Sequence, residues 1–476
     1  MSRPEGVGLL ANSVSNLVVG AATMGYTVLV PAMVLRRFGT DDYGMWFLAF
    51  QIAAYVLLLD LGSQTVVTRE AADPTGRVGA AQLTTAAMVS QLALAVVVVG
   101  VATAWAGFAD QRTLAPLVTV LGAAAASSLL ASTVRAWYGG LQRTHVAAAW
   151  LVVARLSGVA GLGAALAADA GLVALTAAVA GPQLLIHGTF LLWARRPPSP
   201  WARPDRAAFG RLVHSSSPLA LWTIAGVFIA GVDIFVVRAV DPAQLGEYAI
   251  ALPLLAVPTG IVTAAMSAWI PWVATAETAR PPEGGRDATL AATAFTAAAL
   301  SLGAVVYMGY ADDLVGLWAG EESSAATAYL RLLYLAWCLR IAFLPWSVLV
   351  LVRGQQRLIT FAPITEAVVN VAVSIALGLW LGAVGVAMGT VVGAVVAAGL
   401  YLTVAIPRTA GSGVTTPGLV RAAGAAWPPL VAAACLAALA VTGAPAAWRA
   451  LAAAACIGVG GWWMTARRRS APVPAP

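Results

Sequence analysis

Apolar residues run along this chain in long blocks separated by short polar turns. A helix of about 20 apolar residues crosses the hydrocarbon core of a bilayer. Blocks of that length lie at 9–34, 43–67, 81–107, 114–137, 146–168, 171–194, 213–238, 245–272, 288–310, 326–352, 358–382, 384–407, 419–442 and 446–466. They predict an all-α polytopic membrane protein with about 14 transmembrane helices. The shortest separations fall at 168/171 and 382/384, where Gly171 and Gly385 make tight turns feasible.

Composition removes the soluble alternatives. The chain is 60% hydrophobic and 10% charged, with mean hydropathy +0.85. Soluble domains carry about 25% charged residues. The net charge of +7 comes entirely from arginine, since the chain has no lysine. In a membrane protein that surplus orients the spans, so it is no sign of a nucleic-acid partner. With the N-terminus inside, the outer side holds only Arg36, Arg37, Arg112, Arg238, Arg331 and Arg449. The other loops and ends, Arg135 and Arg143 among them, face the cytoplasm, and both termini are expected there. The first apolar stretch lacks a small-residue cleavage site and is read as the first span.

The longest polar break is RRPPSPWARPDRAAFGR at 195–211, which reads as a basic, solvated cytoplasmic linker. It divides the chain into an N-terminal lobe at 1–194, a linker at 195–212, a C-terminal lobe at 213–410, and a tail of two helices plus a basic end at 411–476. The lobes echo each other. GLQR at 140–143 is answered by GQQR at 354–357, and at the same offset Gly171 meets Gly385 and Thr176 meets Thr390. A looser echo pairs VLRRFGTDDYG near 34–44 with VVRAVDPAQLGEYA near 236–249. The unit is six spans, so the copies are parallel and a central cavity between them is the expected substrate site.

These stretches also carry a family resemblance. RRFGTDDYGMW, LLLDLGSQTVVTRE and GLQR, followed by VDIFVVRAVDPAQLGEYA and GQQRLITFAPITEAVVNVAVSIALGLWLGAVGVAMGT, resemble polysaccharide flippases of the Wzx type. That family belongs to the multidrug/oligosaccharidyl-lipid/polysaccharide exporter superfamily. The resemblance implies two six-helix lobes, a V-shaped cavity and alternating access. It implies a cargo of oligosaccharide on undecaprenyl pyrophosphate, a repeat unit of a lipopolysaccharide-type surface polymer, moved across the bacterial cytoplasmic membrane. Membrane lipids, and glycosyltransferases and a polymerase of the same pathway, are the implied partners.

Five ionisable residues fall inside spans: Asp60, Arg155, Asp233, Arg340 and Glu366. Charges at such depth face a cavity or each other. Arg155 lies roughly 14 Å from its span's cytoplasmic start and Glu366 roughly 12 Å, at 1.5 Å per residue. Arg340 is similarly central. Asn370 follows Glu366 by four residues and shares its helix face. Arg155, Arg340, Glu366, Asn370, Asp60, Asn12 and Asn16 are therefore the candidate substrate-binding residues. Guanidinium forks suit a diphosphate. An Arg155–Glu366 or Arg340–Glu366 pair is the structural alternative. Tyr26, Trp150 and Trp337 are candidates for stacking on sugar rings.

No catalytic set or phosphate-binding loop competes, and no cofactor or metal is called for. His145, His187 and His214 are scattered at span ends, and Cys338, Cys435 and Cys456 sit in apolar runs. A peptidoglycan-precursor flippase is the closest rival. A cation-coupled drug exporter would want carboxylates without central arginines. A polysaccharide polymerase or ligase would want a large outer loop.

Overall fold

The computed structural model describes residues 5–73, 75–108, 113–355, 357–409 and 413–425, and no strand occurs among them. In chain order the helices are α1 (Glu5–Leu57), α2 (Ser63–Ala72), α3 (Arg77–Phe108), α4 (Leu114–Gly140), α5 (Thr144–Ala167), α6 (Leu172–Trp193), α7 (Arg206–Gly231) and α8 (Asp233–Val240). Then come α9 (Leu245–Ala279), α10 (Glu283–Ala304), α11 (Ala311–Ala319), α12 (Ser324–Ile341), α13 (Leu344–Val352), α14 (Arg357–Leu381), α15 (Ala383–Leu400) and α16 (Thr416–Gly424). Ten helical runs among the described residues are long and apolar enough to cross a membrane. The first of these holds two predicted spans, because α1 breaks at Gly39, whose φ of 80° and ψ of 177° suit glycine alone. The spans expected at 419–442 and 446–466 fall mostly or wholly outside the described residues.

Large apolar side chains cover outward faces. On α3 these include Val96, Val97, Val101, Trp105 and Phe108, and on α14 Val368, Leu379 and Trp380. Contiguous faces of this kind would aggregate in water and are what a helix presents to lipid. The chain is a multi-pass membrane protein.

It forms two compact units, Met1–Phe235 and Val236–Pro476. In the first, α1 packs on α4 and α5, and α5 packs on α6. The α5–α6 approach is close because α5 offers glycines. A Cβ on Gly161 would come within 1.9 Å of the Ala178 carbonyl oxygen, and one on Gly158 within 2.7 Å of Gln183 Nε2. In the second unit the tightest pair is α14 with α15. There Gly385, Gly389 and Gly393 recur every four residues and form one small-residue face. A Cβ at Gly385 would lie 2.1 Å from the Leu377 carbonyl oxygen, and one at Gly389 2.5 Å from the Ser374 nitrogen.

The two units repeat turns as well as helices. Between α4 and α5, Gln142 takes a left-handed φ of 58°, its N–H reaches Gly139 O, and the Arg143 N–H reaches Tyr138 O. Between α13 and α14, Gly354 takes φ 71°, its N–H reaches Leu351 O, and the Gln355 N–H reaches Val350 O. The backbone thus repeats with Gln142 against Gly354, two residues out of step with the match of GLQR to GQQR. The next turns need no freedom at Gly171, whose φ is −69°; the left-handed residues are Asp169 and Gly382. Gly385 serves the α14–α15 approach instead.

The turn between the first and second spans of each repeat also meets the turn between its fifth and sixth spans. Arg37 pairs with Asp169 in the first unit. In the second, the Asp241 carboxylate accepts the Ala383 N–H at 3.1 Å.

The stretch 195–205 was expected to be a solvated loop and is instead held down on its own unit. Thr85 Oγ1 donates to Pro200 O and accepts from the Ala202 N–H, and Trp137 Nε1 donates to Pro198 O. These bonds satisfy backbone groups in a segment where proline prevents helix formation. Asp205 then caps α7 by accepting the Ala208 N–H, and α7 packs on α3 and α2.

Candidate functional site

The second span does not run through. After Leu57 the chain makes a 3-10 turn at Leu58–Asp60, passes left-handed Leu61 and Gly62, and restarts as α2. Asp60 holds this break: its Oδ1 accepts from Ser63 Oγ at 2.7 Å and from the Gln64 N–H at 2.9 Å. The bonding continues inward. Gln91 Nε2 donates to Ser63 Oγ, and Thr133 Oγ1 donates to Gln91 Oε1, each at 2.8 Å. Asp60 therefore ties the break to α3 and α4.

Leu57 and Gln64, on either side of the break, line a cavity of about 240 Å³ inside the first unit. Val19 and Thr23 of α1 form another wall. Ser128, Ser132 and Arg135 of α4 form a third, and Leu151 and Arg155 of α5 a fourth. Among the described residues that line it there is no acidic side chain.

Arg155 is held by neutral groups. Its Nη1 donates to Gln183 Oε1 at 2.8 Å. Its guanidinium carbon stands 4.8 Å from the centre of the Tyr26 ring, a cation–π contact. Gln183 Nε2 donates in turn to Tyr26 Oη at 3.0 Å and to Val179 O at 2.9 Å. Among the described residues no carboxylate lies within ion-pair distance of Arg155, so its charge is oriented and not neutralised.

Arg340 is in the opposite situation. Its Nε pairs with Glu366 Oε1 across α12 and α14 in the second unit, where the Glu366 side chain is 4% exposed. This is one of the two structural pairings the sequence allowed. Asn370 is fully buried, and its Oδ1 accepts from Ser374 Oγ at 3.0 Å and Thr390 Oγ1 at 3.1 Å. The Thr390 bond ties α14 to α15. Asp60 and Arg155 thus belong to the first unit, and Arg340, Glu366 and Asn370 to the second. Asn12 and Asn16 lie in the first turns of α1, and their side chains are outside the described residues.

The aromatic candidates divide. Tyr26 touches Arg155, whereas Trp150 stacks on Phe190 and Trp337 on Tyr334. His187 is no span-end residue: it is buried in α6, with Nδ1 3.0 Å from Ser127 Oγ. Sequence reasoning missed Gln183, Ser128, Ser132 and Gln64 and placed Arg135 among the cytoplasmic ends. One signal was available: Ser128, Ser132 and Arg135 are spaced four and three apart, a single stripe on α4. Among the described residues no group of three histidine, cysteine or acidic side chains is placed to hold a metal.

A helical membrane fold with an arginine-lined pocket narrows the family, and comparison with known proteins supplies it. The family model described as "Polysaccharide biosynthesis protein" matches residues 9–277, more than half of the chain. The chain belongs to the polysaccharide biosynthesis protein family. Among solved structures it is similar to the lipid II flippase MurJ in an inward closed conformation, at 10% identity. That match covers 97% of this chain and 99% of that one, with a TM-score of 0.72. It is also similar to an inward-facing multidrug resistance MATE transporter of the MOP superfamily. Identity there is 16%, coverage 84% and 95%, and TM-score 0.63. A MOP superfamily transporter from Pyrococcus furiosus, described as having a binding pocket of reverse polarity, matches at 16% identity. It covers 86% and 94% of the two chains, with a TM-score of 0.52. These likenesses establish that the chain shares the fold of those structures. No curated protein matches the chain.

Proposed function

We propose that this family member is a flippase for an oligosaccharide linked to a polyprenyl pyrophosphate, moved across the bacterial cytoplasmic membrane by alternating access. The observation that carries the reading is Arg155, a cation inside a membrane-spanning unit whose partners are Gln183 and Tyr26 and no carboxylate. Holding a charge there is costly, and such residues mark transport pathways. An anionic cargo supplies the counter-charge only while it is bound, which suits a site that must load and release. Bidentate donation by guanidinium matches a phosphoryl group. A cationic drug would be repelled by the same residue. Pocket charge varies within this fold, as the description of the Pyrococcus furiosus transporter indicates.

A lipid-linked peptidoglycan precursor offers the same diphosphate, so it is the second reading, favoured by the extent of the match to MurJ. In both readings the two termini and the arginine-rich loops face the cytoplasm. Arg340 and Glu366 hold α12 to α14, and Asn370 holds α14 to α15.

Proteoliposomes containing the full-length chain separate the cargoes. The reading expects translocation of undecaprenyl-pyrophosphate-linked oligosaccharide in preference to lipid II and to a cationic dye. Movement of lipid II alone selects the second reading. Movement of the dye alone overturns both.

A further inference from the structure

We infer that the basic segment 195–211 is a binding surface for the headgroups of anionic phospholipids, in the leaflet that meets this end of the first unit. The inference does not depend on the cargo. None of these residues lines the cavity described above.

Charge comes first. The segment carries five arginines and one aspartate. Arg195, Arg196, Arg203, Arg206 and Arg211 are all exposed. Among the described residues, none of the five lies within ion-pair distance of a carboxylate. The acids at this end of the unit have other partners. Asp205 Oδ1 accepts the Ala208 N–H at 2.7 Å. Asp73 Oδ1 accepts from the Thr75 N–H and Oγ1, and Glu70 pairs with Arg69.

Exposed cations would attract any anion, and their setting selects lipid. The segment cannot swing out into water, because Thr85 and Trp137 hold the backbone of Pro198, Pro200 and Ala202 against α3 and α4. Arg195 and Arg196 follow directly on the end of α6, and Arg206 and Arg211 lie in the first two turns of α7. Span ends lie at headgroup depth. Apolar side chains adjoin the charges. Leu192 of α6 is 61% exposed and Val213 of α7 66%. An acyl chain covers such residues while its headgroup meets the arginines, whereas an acidic soluble partner would leave them bare. Trp193, Trp201 and Phe209 are half-buried and pack on the unit's core. Tryptophan is enriched where hydrocarbon gives way to headgroups.

Pinning the segment also favours binding. Its backbone is ordered by the fold, so a lipid phosphate has only side chains left to immobilise. Guanidinium forks donate to phosphate in pairs. An arginine at an anionic membrane surface contributes about fivefold to association. The attraction is screened by salt.

Titration of the delipidated full-length protein in detergent tests this with three probes: dioctanoyl phosphatidylglycerol, dioctanoyl phosphatidylcholine and free glycerol 3-phosphate. Binding is read by calorimetry and by the melting temperature. Phosphatidylglycerol is expected to bind saturably and to raise the melting temperature, and the other two are not. The quadruple variant Arg195→Gln, Arg196→Gln, Arg203→Gln and Arg206→Gln should weaken phosphatidylglycerol at least tenfold. Lysine at the same four positions should weaken it less. Arg280→Gln with Arg286→Gln removes two exposed arginines that adjoin Asp287 in the other unit, and should leave binding unchanged. Unliganded melting temperatures identify a variant that has lost its fold. Should the quadruple variant do so, the pairs Arg195→Gln with Arg196→Gln and Arg203→Gln with Arg206→Gln replace it, each with a loss of about fivefold or more.

The inference is overturned if the glutamine variants bind phosphatidylglycerol like the wild type, or if phosphatidylcholine binds as tightly. It is also overturned if glycerol 3-phosphate binds as tightly as the lipid, which would make this a free-anion site. Binding of hexaglutamate without binding of phosphatidylglycerol would overturn it in favour of an acidic protein partner.

Discussion

Two arginines lie deep in the membrane-spanning helices, and their surroundings set them apart. Arg340 shares its charge with Glu366, so removing the acid strands a half-buried cation. Such stranding costs about 3–5 kcal/mol, whereas replacing both partners by apolar residues is often neutral or stabilising. Glu366→Gln should therefore lower the melting temperature in detergent, and the double variant Arg340→Met with Glu366→Leu should restore most of it. A double variant as unstable as the single one would show that the pair does more than neutralise itself. Arg155 loses only orientation when Gln183 is changed. Gln183→Leu should leave the fold intact and weaken pyrophosphate binding several-fold, read by titration. The depth of both arginines was legible in the sequence, because an arginine inside an apolar block stands out. Their partners were not. Gln183 carries no charge to mark it, and it reaches Arg155 only because Gly158 lets α6 come within 2.7 Å of where a Cβ would be.

Among the helices, glycine has several separate jobs that look alike in sequence. Gly39 supplies a backbone conformation. Gly385 and Gly389 supply contact between α14 and α15. Gly171 supplies neither, since nothing lies within 4 Å of its missing Cβ and its φ is ordinary. Alanine at 385 or 389 should therefore destabilise by about 1–3 kcal/mol or more through overpacking, and alanine at 171 should be neutral. Thermal denaturation in detergent ranks the three; equal stability of all three would contradict the packing described. The break at 58–62 has its own device. Asp60→Ala should cost about 0.5–2 kcal/mol, as for a lost helix cap, and speed amide exchange over α2. Span existence was legible because length and hydropathy decide it. The break was not, since LLDLG is apolar enough to pass for helix and only the Asp60 bonds and the left-handed Leu61 and Gly62 reveal it.

For the molecule as a whole, the six-span repeat is legible from five identical positions at one offset, and its register differs from theirs by two residues at the α4–α5 and α13–α14 turns. Sequence aligns side chains, and the glycines of GLQR and GQQR are alike; the backbone aligns the left-handed residue of each turn, which is Gln142 in one and Gly354 in the other. The charges follow neither register. The first unit carries a cation with neutral partners, and the second carries an ion pair. That asymmetry underlies the transport reading, in which an anionic carrier completes the first unit's charge balance. The rate of translocation of undecaprenyl-pyrophosphate-linked oligosaccharide in proteoliposomes, compared between wild type and Arg155→Gln at matched reconstitution and melting temperature, tests it most directly. The account predicts a loss of at least tenfold, with Arg155→Lys retaining part of the rate. An Arg155→Gln protein that moves the lipid as fast as the wild type would contradict it.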